Sequence, residues 1–229
     1  MSAVVVVGAG PGLGTAIARR FGAEGMPVGL IARSADSVSA ARAELARAGI
    51  KAVGVTADAA QERQLTGALD TLSGQLGAPG TLVYNAGLIR HDRPGELTSE
   101  QHHAAYAVNV LGALAAAVHV APGMAAAGGG TILITGGVPE PDPEITSLSL
   151  GKAGVRALTQ LLARQYGPAG IHVATVTIAG AVAPGGAFDP HRIARQYWRL
   201  YDQPPGAWQH EVLYAGEPPP GPAAGGPGT

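Results

Sequence analysis

Residues 4–21 read VVVVGAGPGLGTAIARRF, a run of valines followed by a glycine-rich turn and an alanine-rich helical pattern. Four consecutive valines are typical of a strand that is buried on both faces. Gly8, Gly12 and Gly14 separate this strand from the helix, so the first backbone amides of the helix can face a pyrophosphate with no Cβ between them. The spacing G-x-x-x-G-x-G differs from the commoner G-x-G-x-x-G, whose last glycine falls on Leu13. The stretch predicts a phosphate-binding strand-turn-helix unit, and a tight turn without a ligand is the alternative.

The rest of the chain repeats the alternation of strand and helix. Short apolar runs that resemble buried strands are AVVVV (3–7), VGLIA (28–32), AVGVTA (52–57), TLVYNA (81–86), TILIT (131–135) and HVATVTIA (172–179). Alanine-rich helical segments lie between them at 13–25, 35–48, 60–76, 99–127 and 151–167. The pattern predicts an α/β fold with a Rossmann-type doubly wound parallel sheet of six strands in three layers.

Proline and glycine mark the boundaries of this pattern. Pro122 and the glycines at 128–130 are expected to end the fourth helical region. The predicted single domain covers residues 1–216. Residues 217–229, EPPPGPAAGGPGT, lack an apolar period and are expected to form a flexible tail.

Composition narrows the possible partners. The 229 residues carry a formal net charge of −1 and no block of Lys or Arg, which argues against binding to nucleic acid or an anionic membrane. The absence of cysteine excludes disulfides and thiolate sites, and no His, Asp and Glu grouping has the spacing of a metal site. The amino-terminal apolar run is too short for a signal sequence or a membrane span. We therefore expect a cytoplasmic protein that acts on small molecules.

Several stretches in the same order resemble the short-chain dehydrogenase/reductase family over about residues 3–216. They are the glycine turn, Asp58 after the third strand, YNAGL at 84–88, Asn109 in YAVNVLG and Lys152 in TSLSLGKAG. The resemblance implies a nicotinamide cofactor and hydride transfer to or from a carbonyl or alcohol carbon. It implies catalytic roles for Asn109, Thr135 and Lys152, and cofactor contacts from Gly8, Pro11, Gly12, Leu13, Gly14, Asp58, Asn85, Ala86, Gly87, Lys152, Gly180 and Val182.

The end of the second strand bears on the choice of cofactor. An acidic side chain there would accept hydrogen bonds from the ribose of NAD, but Arg33 and Ser34 follow this strand instead. A guanidinium beside a hydroxyl suits the 2′-phosphate of NADP. We therefore expect NADP(H) to be favoured over NAD(H). The alternatives are a solvated arginine near a helix start and an NAD site that uses Asp36.

The expected catalytic region departs from the family pattern. The family's tyrosine, four residues before its lysine, falls on Leu148, and the position of its serine falls on Thr135 or Gly136, of which only Thr135 has a hydroxyl. In the expected nicotinamide loop, Ala179 and Pro184 replace a usual proline and threonine. Tyr106 lies three residues before Asn109 and shares its helix face; it either packs in the fold or reaches the pocket.

The segment after the sixth strand is short. Asp189 and Pro190 are typical of a helix cap and a first helical residue, so no long lid is expected over the substrate. The aromatic residues of this region either pack in the core and a dimer contact or stack on a substrate; they are Tyr197, Trp198, Tyr201 and Trp208. A homodimer or homotetramer is expected.

Three functions are compatible with these residues. The first is an NADP(H)-dependent oxidoreductase of small molecules that has Leu148 in place of the family's tyrosine and so works without a phenol. Its substrates would contain C=O bonds or C=N bonds such as a protonated iminium. The second is a non-redox cyclase or isomerase that uses the cofactor pocket. The third is a nucleotide-binding protein without catalytic activity.

Overall fold

A computed structural model of the chain describes residues 2–217, and its centre is a parallel sheet. Within these residues the strands are β1 (Ala3–Val7), β2 (Val28–Ala32), β3 (Ala52–Thr56), β4 (Pro79–Tyr84), β5 (Gly130–Gly137), β6 (Ile171–Ile178) and β7 (Glu211–Tyr214). Their order in the sheet is β3-β2-β1-β4-β5-β6-β7, and every neighbouring pair is parallel. The chain order reverses between β1 and β4, so a crevice forms beyond the carboxyl ends of these strands, where doubly wound sheets bind ligands.

Helices cover both faces of the sheet. They are α1 (Leu13–Gly22), α2 (Ala35–Arg47), α3 (Glu62–Leu76), α4 (Ser99–Tyr106), α5 (Gly112–Ala126), α6 (Thr146–Tyr166) and α7 (Pro190–Tyr201). Apolar side chains of α1, α2 and α7 pack with one face, and those of α3, α5 and α6 with the other. This arrangement confirms the predicted three-layer α/β fold. It also explains the uninterrupted valines of β1, which are buried on both sides.

One long helical region crosses the second face. A π-helical segment, Ala107–Leu111, joins α4 to α5. The resulting helix, Ser99–Ala126, is long and apolar enough to cross a membrane by length and composition, but half of its most apolar stretch is buried inside the protein. Pro122 lies inside α5 and does not end it as predicted; the helix continues to Ala126 and is followed by Gly128 and Gly129, both with positive φ. A single proline removes only one helical hydrogen bond, and packing compensates for it here.

Two further elements differ from the prediction. The seventh strand, β7, was not expected, because its four residues are too few to show an alternating pattern and only Tyr214 among them is buried. Helix α6 begins at Thr146, five residues before its predicted start. The early start depends on the carboxylate of Asp92, which lies more than fifty residues earlier in the sequence and accepts hydrogen bonds from Ser147.

The end of the described chain is held against the fold. The amide of Glu217 donates to the carbonyl of Ala187, and the carbonyl of Glu217 accepts a hydrogen bond from Arg192. Glu217 is the first residue of the predicted flexible tail, and that assignment stays a prediction. The remaining residues of the predicted tail, 218–229, lie outside the described residues.

Candidate active site

The glycine turn between β1 and α1 leaves room for a phosphate group. Gly12 occupies the N-cap of α1 with φ of +95°, a left-handed conformation that favours glycine, and no side chain caps the helix. A Cβ added at Gly10 or Gly12 would meet no atom within 4 Å. The first turn of α1 contains no acidic residue that would repel an anion. These features fit the pyrophosphate of a dinucleotide. Pro11 is exposed in the turn. Leu13, the first residue of α1, is buried in the core.

Gly8 and Gly14 serve close packing of the backbone. A Cβ at Gly8 would lie 2.4 Å from the amide nitrogen of Ala86, and one at Gly14 would lie 2.2 Å from the carbonyl oxygen of Gly8. The turn therefore packs against α1 on one side and against the turn after β4 on the other. Neither contact tolerates a side chain.

The turn after β4 is connected to the glycine turn by Asn85. Its Nδ2 donates to the carbonyl of Gly8 over 2.9 Å, and its amide nitrogen donates to the carbonyl of Val7 over 2.7 Å. Its Oδ1 accepts a hydrogen bond from the Thr135 hydroxyl on β5, also over 2.9 Å. One amide side chain thus joins the carboxyl ends of three adjacent strands.

The Thr135 hydroxyl lies between Asn85 and Tyr197 of α7, which is 2.6 Å away. Because its only proton is donated to Asn85, the phenol of Tyr197 must donate to Thr135. Tyr197 is buried, and burial raises the pKa of its phenol, which keeps it protonated as this bond requires. The proton of the Thr135 hydroxyl is therefore engaged within the fold, and the catalytic role that the resemblance implies for Thr135 stays a prediction. Sequence reasoning missed the role of Tyr197, although residues 193, 194 and 200 share its buried helix face.

Lys152 is bound to the same strand from the opposite side. Its Nζ donates to the backbone carbonyl of Thr135 over 2.7 Å, and the residue is only 8% exposed. Burial lowers the pKa of Lys152 from 10.5 to about 8, because the charged form loses hydration. The position on β5 that faces Lys152 is Gly137, where an added Cβ would lie 3.7 Å from the lysine Cε. Gly137 carries no hydroxyl, and Gly136 is directed instead toward threonines of β6.

Asn109 joins the π-helical segment to the turn after β4. Its Oδ1 accepts from the amide of Leu88 over 2.8 Å, and its Nδ2 donates to the Leu88 carbonyl over 3.2 Å. It is 1% exposed and packs against Gly151, one residue before Lys152. Gly87 approaches it closely, since a Cβ there would lie 3.3 Å from its Oδ1. Asn109 thus positions the loop and α6, and both polar atoms of its amide are already engaged.

A buried carboxylate caps the start of α6. Asp92, 1% exposed, accepts hydrogen bonds from the amide and the hydroxyl of Ser147 over 2.9 and 2.6 Å. A carboxylate at a helix N-terminus is stabilised by the unpaired amides and the helix dipole. This distant cap allows α6 to begin at Thr146 and places Leu148, also buried, in its first turn, four residues before Lys152.

The end of β5 is conformationally unusual. Val138 has φ of +48°, a conformation that a β-branched residue adopts only when its surroundings enforce it. The guanidinium of Arg156, one turn after Lys152 on α6, donates to the carbonyls of Gly137 and Val138 over 3.2 and 3.1 Å. Arg156 therefore holds the strained backbone beside Lys152. The sequence gave no sign of this role, because an arginine in a helix is usually exposed to solvent.

The predicted residues of the adenosine side are exposed or half-buried at the ends of β2 and β3. Arg33 is exposed, and Ser34 caps α2 by accepting a hydrogen bond from the amide of Ser37. The Asp58 carboxylate accepts from the amide of Ala60 over 2.9 Å. Ala86, half-buried, packs against the core between these ends and the lysine.

The expected nicotinamide loop is short and open. Residues 179–185 are exposed, including Gly180 and Val182, and α7 begins at Pro190 with Asp189 as its N-cap. Phe188 packs so closely on Gly180 that an added Cβ would lie 2.3 Å from its ring. The predicted capped helix after a short connection is confirmed.

The remaining aromatic residues pack outside this crevice. Tyr106 lies against α6 at Gly154, where an added Cβ would be 3.2 Å from the phenol oxygen. Trp198 and Tyr201 contact the ring of Phe21 edge to face, and Trp208 stacks on His172. The sequence left open whether these four aromatic residues pack within the fold or contact a substrate, and all four contacts fit packing.

Known proteins share this architecture. The family described as short chain dehydrogenase matches residues 2–186. The chain is 34% identical over 193 residues to cis-4-hydroxycyclohexanecarboxylate dehydrogenase of Sinomonas cyclohexanicum, which covers 81% of this chain and 73% of the relative. It is 34% identical over 206 residues to 2-(R)-hydroxypropyl-CoM dehydrogenase of Xanthobacter autotrophicus, covering 87% and 78%. A metagenomic short-chain oxidoreductase solved in complex with NADP matches with a TM-score of 0.84 at 27% identity, covering 93% of this chain and 96% of the other.

Proposed function

This chain belongs to the short-chain dehydrogenase/reductase family and is an oxidoreductase of small molecules; from that premise we propose that it prefers NADP(H) and reduces C=N or C=O bonds without a phenolic proton donor. The observation that carries the proposal is the buried Lys152 ammonium, 2.7 Å from the Thr135 carbonyl. Through Thr135 and Asn85 this lysine is connected by hydrogen bonds to the glycine turn. A cation held at the crevice beside a phosphate-binding turn suits a nicotinamide dinucleotide.

Different residues of the site would bind different parts of the cofactor. The amides at the start of α1 would bind the pyrophosphate, and Lys152 would bind the hydroxyls of the nicotinamide ribose. Arg33 is exposed beside the Ser34 hydroxyl, and together they suit a 2′-phosphate, the feature that distinguishes NADP. The metagenomic relative in complex with NADP supports this choice. When bound, the cofactor supplies the hydride; the remaining chemistry falls to the protein.

Proton supply is the step in which Leu148 matters. Reduction of a ketone produces an alkoxide that must be neutralised, and a positioned acid contributes about 10² to 10⁴ in rate. Leu148 has no proton to donate, and Lys152, with a pKa of about 8, is the nearest acid that the crevice offers. A protonated iminium already carries its proton, so its reduction loses little. The apolar side chain of Leu148 would also exclude water from the reacting carbon. We therefore favour cyclic imines over ketones as substrates.

A matched pair of variants tests this assignment. Leu148→Tyr places a phenol four residues before Lys152, where the lysine would lower its pKa, and should raise the rate on ketones about 100-fold more than the rate on the matching imines. Thr71→Tyr is the control, because Thr71 is exposed on α3 and should change neither rate. Equal gains for both substrate classes, or for both variants, would contradict the role of position 148.

Isotope transfer tests the redox assignment itself. With NADPH that carries deuterium at both C4 positions, the product of an imine or ketone reduction should contain one deuterium. Lys152→Ala should weaken binding of the same cofactor, measured by calorimetry, because the ribose loses its cationic partner. If no product of either class carries the label, the reductase assignment is wrong.

A second candidate function is cofactor binding without redox turnover, in a cyclase, an isomerase or a nucleotide-binding protein. It is favoured by the side chains at two positions of the crevice, since Leu148 and Gly137 both lack a hydroxyl next to Lys152. Tight binding of NADP without deuterium transfer, and conversion of a substrate without net oxidation, would distinguish the cyclase or isomerase. Binding without any conversion would indicate the nucleotide-binding protein.

We further propose that the protein forms a homo-oligomer through α5 and α6. Residues 107–126 contain no Asp, Glu, Lys or Arg, yet Leu111, Leu114 and Val118 are 38% to 50% exposed along one helix face. On α6, Leu150 and Leu161 are more exposed still. A second copy would present the same apolar face, so a two-fold contact would bury both. Sedimentation should show a dimer or tetramer that Val118→Glu dissociates and that the exposed-site variant Thr71→Glu does not; a monomeric native chain would contradict the proposal.

We also propose a cytoplasmic location and a small-molecule substrate, with no nucleic-acid partner. The near-neutral net charge of the chain and the lack of a run of Lys or Arg in its sequence support the proposed lack of a nucleic-acid partner, because nucleic-acid binding neutralises many phosphates along a strand. Fractionation of the source cells should recover the protein with soluble enzymes. Recovery with membranes would contradict the location.

A further inference from the structure

A basic groove runs between the outer faces of α1 and α7. It is open to solvent and has a volume of about 440 Å³, and its charged or aromatic lining side chains are Arg19, Arg20, His191, Arg195, Trp198 and Arg199. None of these residues belongs to the cofactor site or to the group around Lys152. The groove therefore requires its own explanation.

Positive charge is concentrated in this groove. Four of the 15 Lys and Arg residues of the chain lie here, which leaves 11 for the rest of the chain against 16 Asp and Glu. Among the described residues, Arg20 is the only one of the four arginines with an acidic partner, Glu24 in the next turn of α1. Arg199 donates to the neutral amide of Gln196 over 3.2 Å. Three guanidiniums are thus not neutralised by a carboxylate of the described chain.

The groove is built on rigid elements. His191, Arg195 and Arg199 follow one another at intervals of four residues along α7, so their Cα atoms rise by about 6 Å per step. The Arg20 guanidinium lies over the ring of Trp198, 4.6 Å from its centre. Trp198 is fixed in turn by Phe21 and Tyr201, whose ring centres are 5.3 and 4.9 Å from its own. The cations therefore surround the space from two packed helices.

We propose that this groove binds a small molecule that carries two or more phosphate groups. Guanidinium forks bind phosphate oxygens in pairs, and all four strong cations here are arginines. The volume of the groove falls in the range of small-ligand sites, about 300 to 1,000 Å³. Phosphates concentrate several negative charges in such a volume, whereas carboxylates contribute one each. A second copy of the chain is a poor occupant, because a two-fold contact through this groove would bring eight guanidiniums together.

Trp198 provides a direct readout that does not depend on turnover. In a Trp208→Phe background, Trp198 is the remaining tryptophan. Titration with inorganic pyrophosphate at constant ionic strength should give a saturable change in its fluorescence, both without NADP and with saturating NADP. Arg195→Gln combined with Arg199→Gln should raise the dissociation constant at least tenfold. Where Trp208→Phe does not fold, calorimetry on the native tryptophan background gives the same comparison.

The control variant removes the same kind of charge elsewhere. Arg164→Gln changes an exposed arginine of α6, on the opposite face of the sheet, and should leave the dissociation constant unchanged. The proposal is overturned by the absence of saturable binding, by an equal loss in Arg164→Gln, or by binding of a poly-glutamate peptide in place of pyrophosphate, which would indicate a macromolecular surface. Loss of pyrophosphate binding whenever NADP is added would assign the signal to the cofactor site and likewise overturn it.

Discussion

The glycine turn after β1 and the crevice around Lys152 are neighbours in space but are built in opposite ways. The turn consists of seven consecutive residues, Gly8 to Gly14, and it works through backbone amides and missing side chains. The crevice is assembled from side chains of separate segments, which include Asn85, Asn109 and Lys152, and it works through their hydrogen bonds. A contiguous backbone site keeps its function as long as its glycines remain. An assembled side-chain site depends on each of the groups that its separate segments contribute.

The largest effect is expected where the backbone site is most crowded. In Gly14→Ala the new Cβ would lie 2.2 Å from the Gly8 carbonyl oxygen, a backbone atom that cannot rotate away. Overpacking of this kind costs about 3 kcal/mol. We expect the free energy of unfolding in urea to fall by about that amount, and cofactor binding to be lost with the geometry of the turn.

The control lies in the same turn. An alanine at Gly10 meets no atom within 4 Å, and Gly10 does not have a positive φ. Gly10→Ala should therefore leave the free energy of unfolding within about 0.5 kcal/mol of the native value, as surface substitutions usually do. If Gly10→Ala and Gly14→Ala lower the free energy of unfolding equally, the stability of the turn depends on the number of its glycines and not on close packing at Gly14.

The next effect concerns the buried charge of the assembled site. Lys152 has a pKa of about 8 in the folded chain, below the ordinary value of 10.5 for a lysine, so the unfolded state holds the proton more tightly. Burial of the charged ammonium lowers the free energy of unfolding. This loss is fully present below pH 8 and disappears as the pH rises toward 10.5. One pKa unit corresponds to about 1.4 kcal/mol, which limits the effect to about 3 kcal/mol.

Lys152→Met measures this cost. Relative to the variant, the native protein should gain free energy of unfolding as the pH rises from 8 to 10.5, measured by urea denaturation at each pH. Lys51→Met removes an exposed lysine and should show no such trend. If the difference in free energy of unfolding between the native and Lys152→Met proteins stays constant with pH, burial does not lower the pKa of this lysine.

A smaller effect is expected at the exposed edge of the backbone site. Arg33→Ala should remove most of a preference for NADPH over NADH, because it loses one charge-assisted contact with the 2′-phosphate, about 2 kcal/mol. Arg47→Ala, at the far end of α2, carries the same change of charge and should keep the preference. Dissociation constants of both cofactors by calorimetry provide the measurement. Equal affinities of the native protein for the two cofactors would exclude the role of Arg33.

The same contrast explains what the sequence could predict. The first six strands, the glycine turn and the position of Asp189 at the start of α7 follow from local patterns, and the structure confirms them. The early start of α6 depends on Asp92, more than fifty residues away, so no local pattern around Thr146 could indicate it. The direction of the Thr135 hydroxyl depends on Tyr197, which lies 62 residues later in the sequence. Residue types near a motif predict its presence, whereas the partners of each polar atom depend on tertiary packing.

The smallest predicted effect tests whether the two sites are coupled. Tyr197→Phe removes the donor to the Thr135 hydroxyl but leaves the bond from Thr135 to Asn85, so the free energy of unfolding should fall by about 1 kcal/mol. Thr135→Val removes both bonds and leaves the Asn85 oxygen without its partner, which should cost more, about 2 kcal/mol.

The double variant separates coupling from two independent losses. Once Thr135 is valine, the phenol of Tyr197 has already lost its acceptor, so Tyr197→Phe should cost little more and can even relieve an unpaired hydroxyl. The coupling free energy of the double-mutant cycle should therefore be about 1 kcal/mol. Tyr197→Phe should also leave cofactor affinity nearly unchanged, because the Asn85 bond to the Gly8 carbonyl persists, whereas Thr135→Val should weaken it. Additive losses in the cycle would mean that α7 and the turn after β4 are stabilised separately, and that the glycine turn is positioned by its own backbone contacts alone.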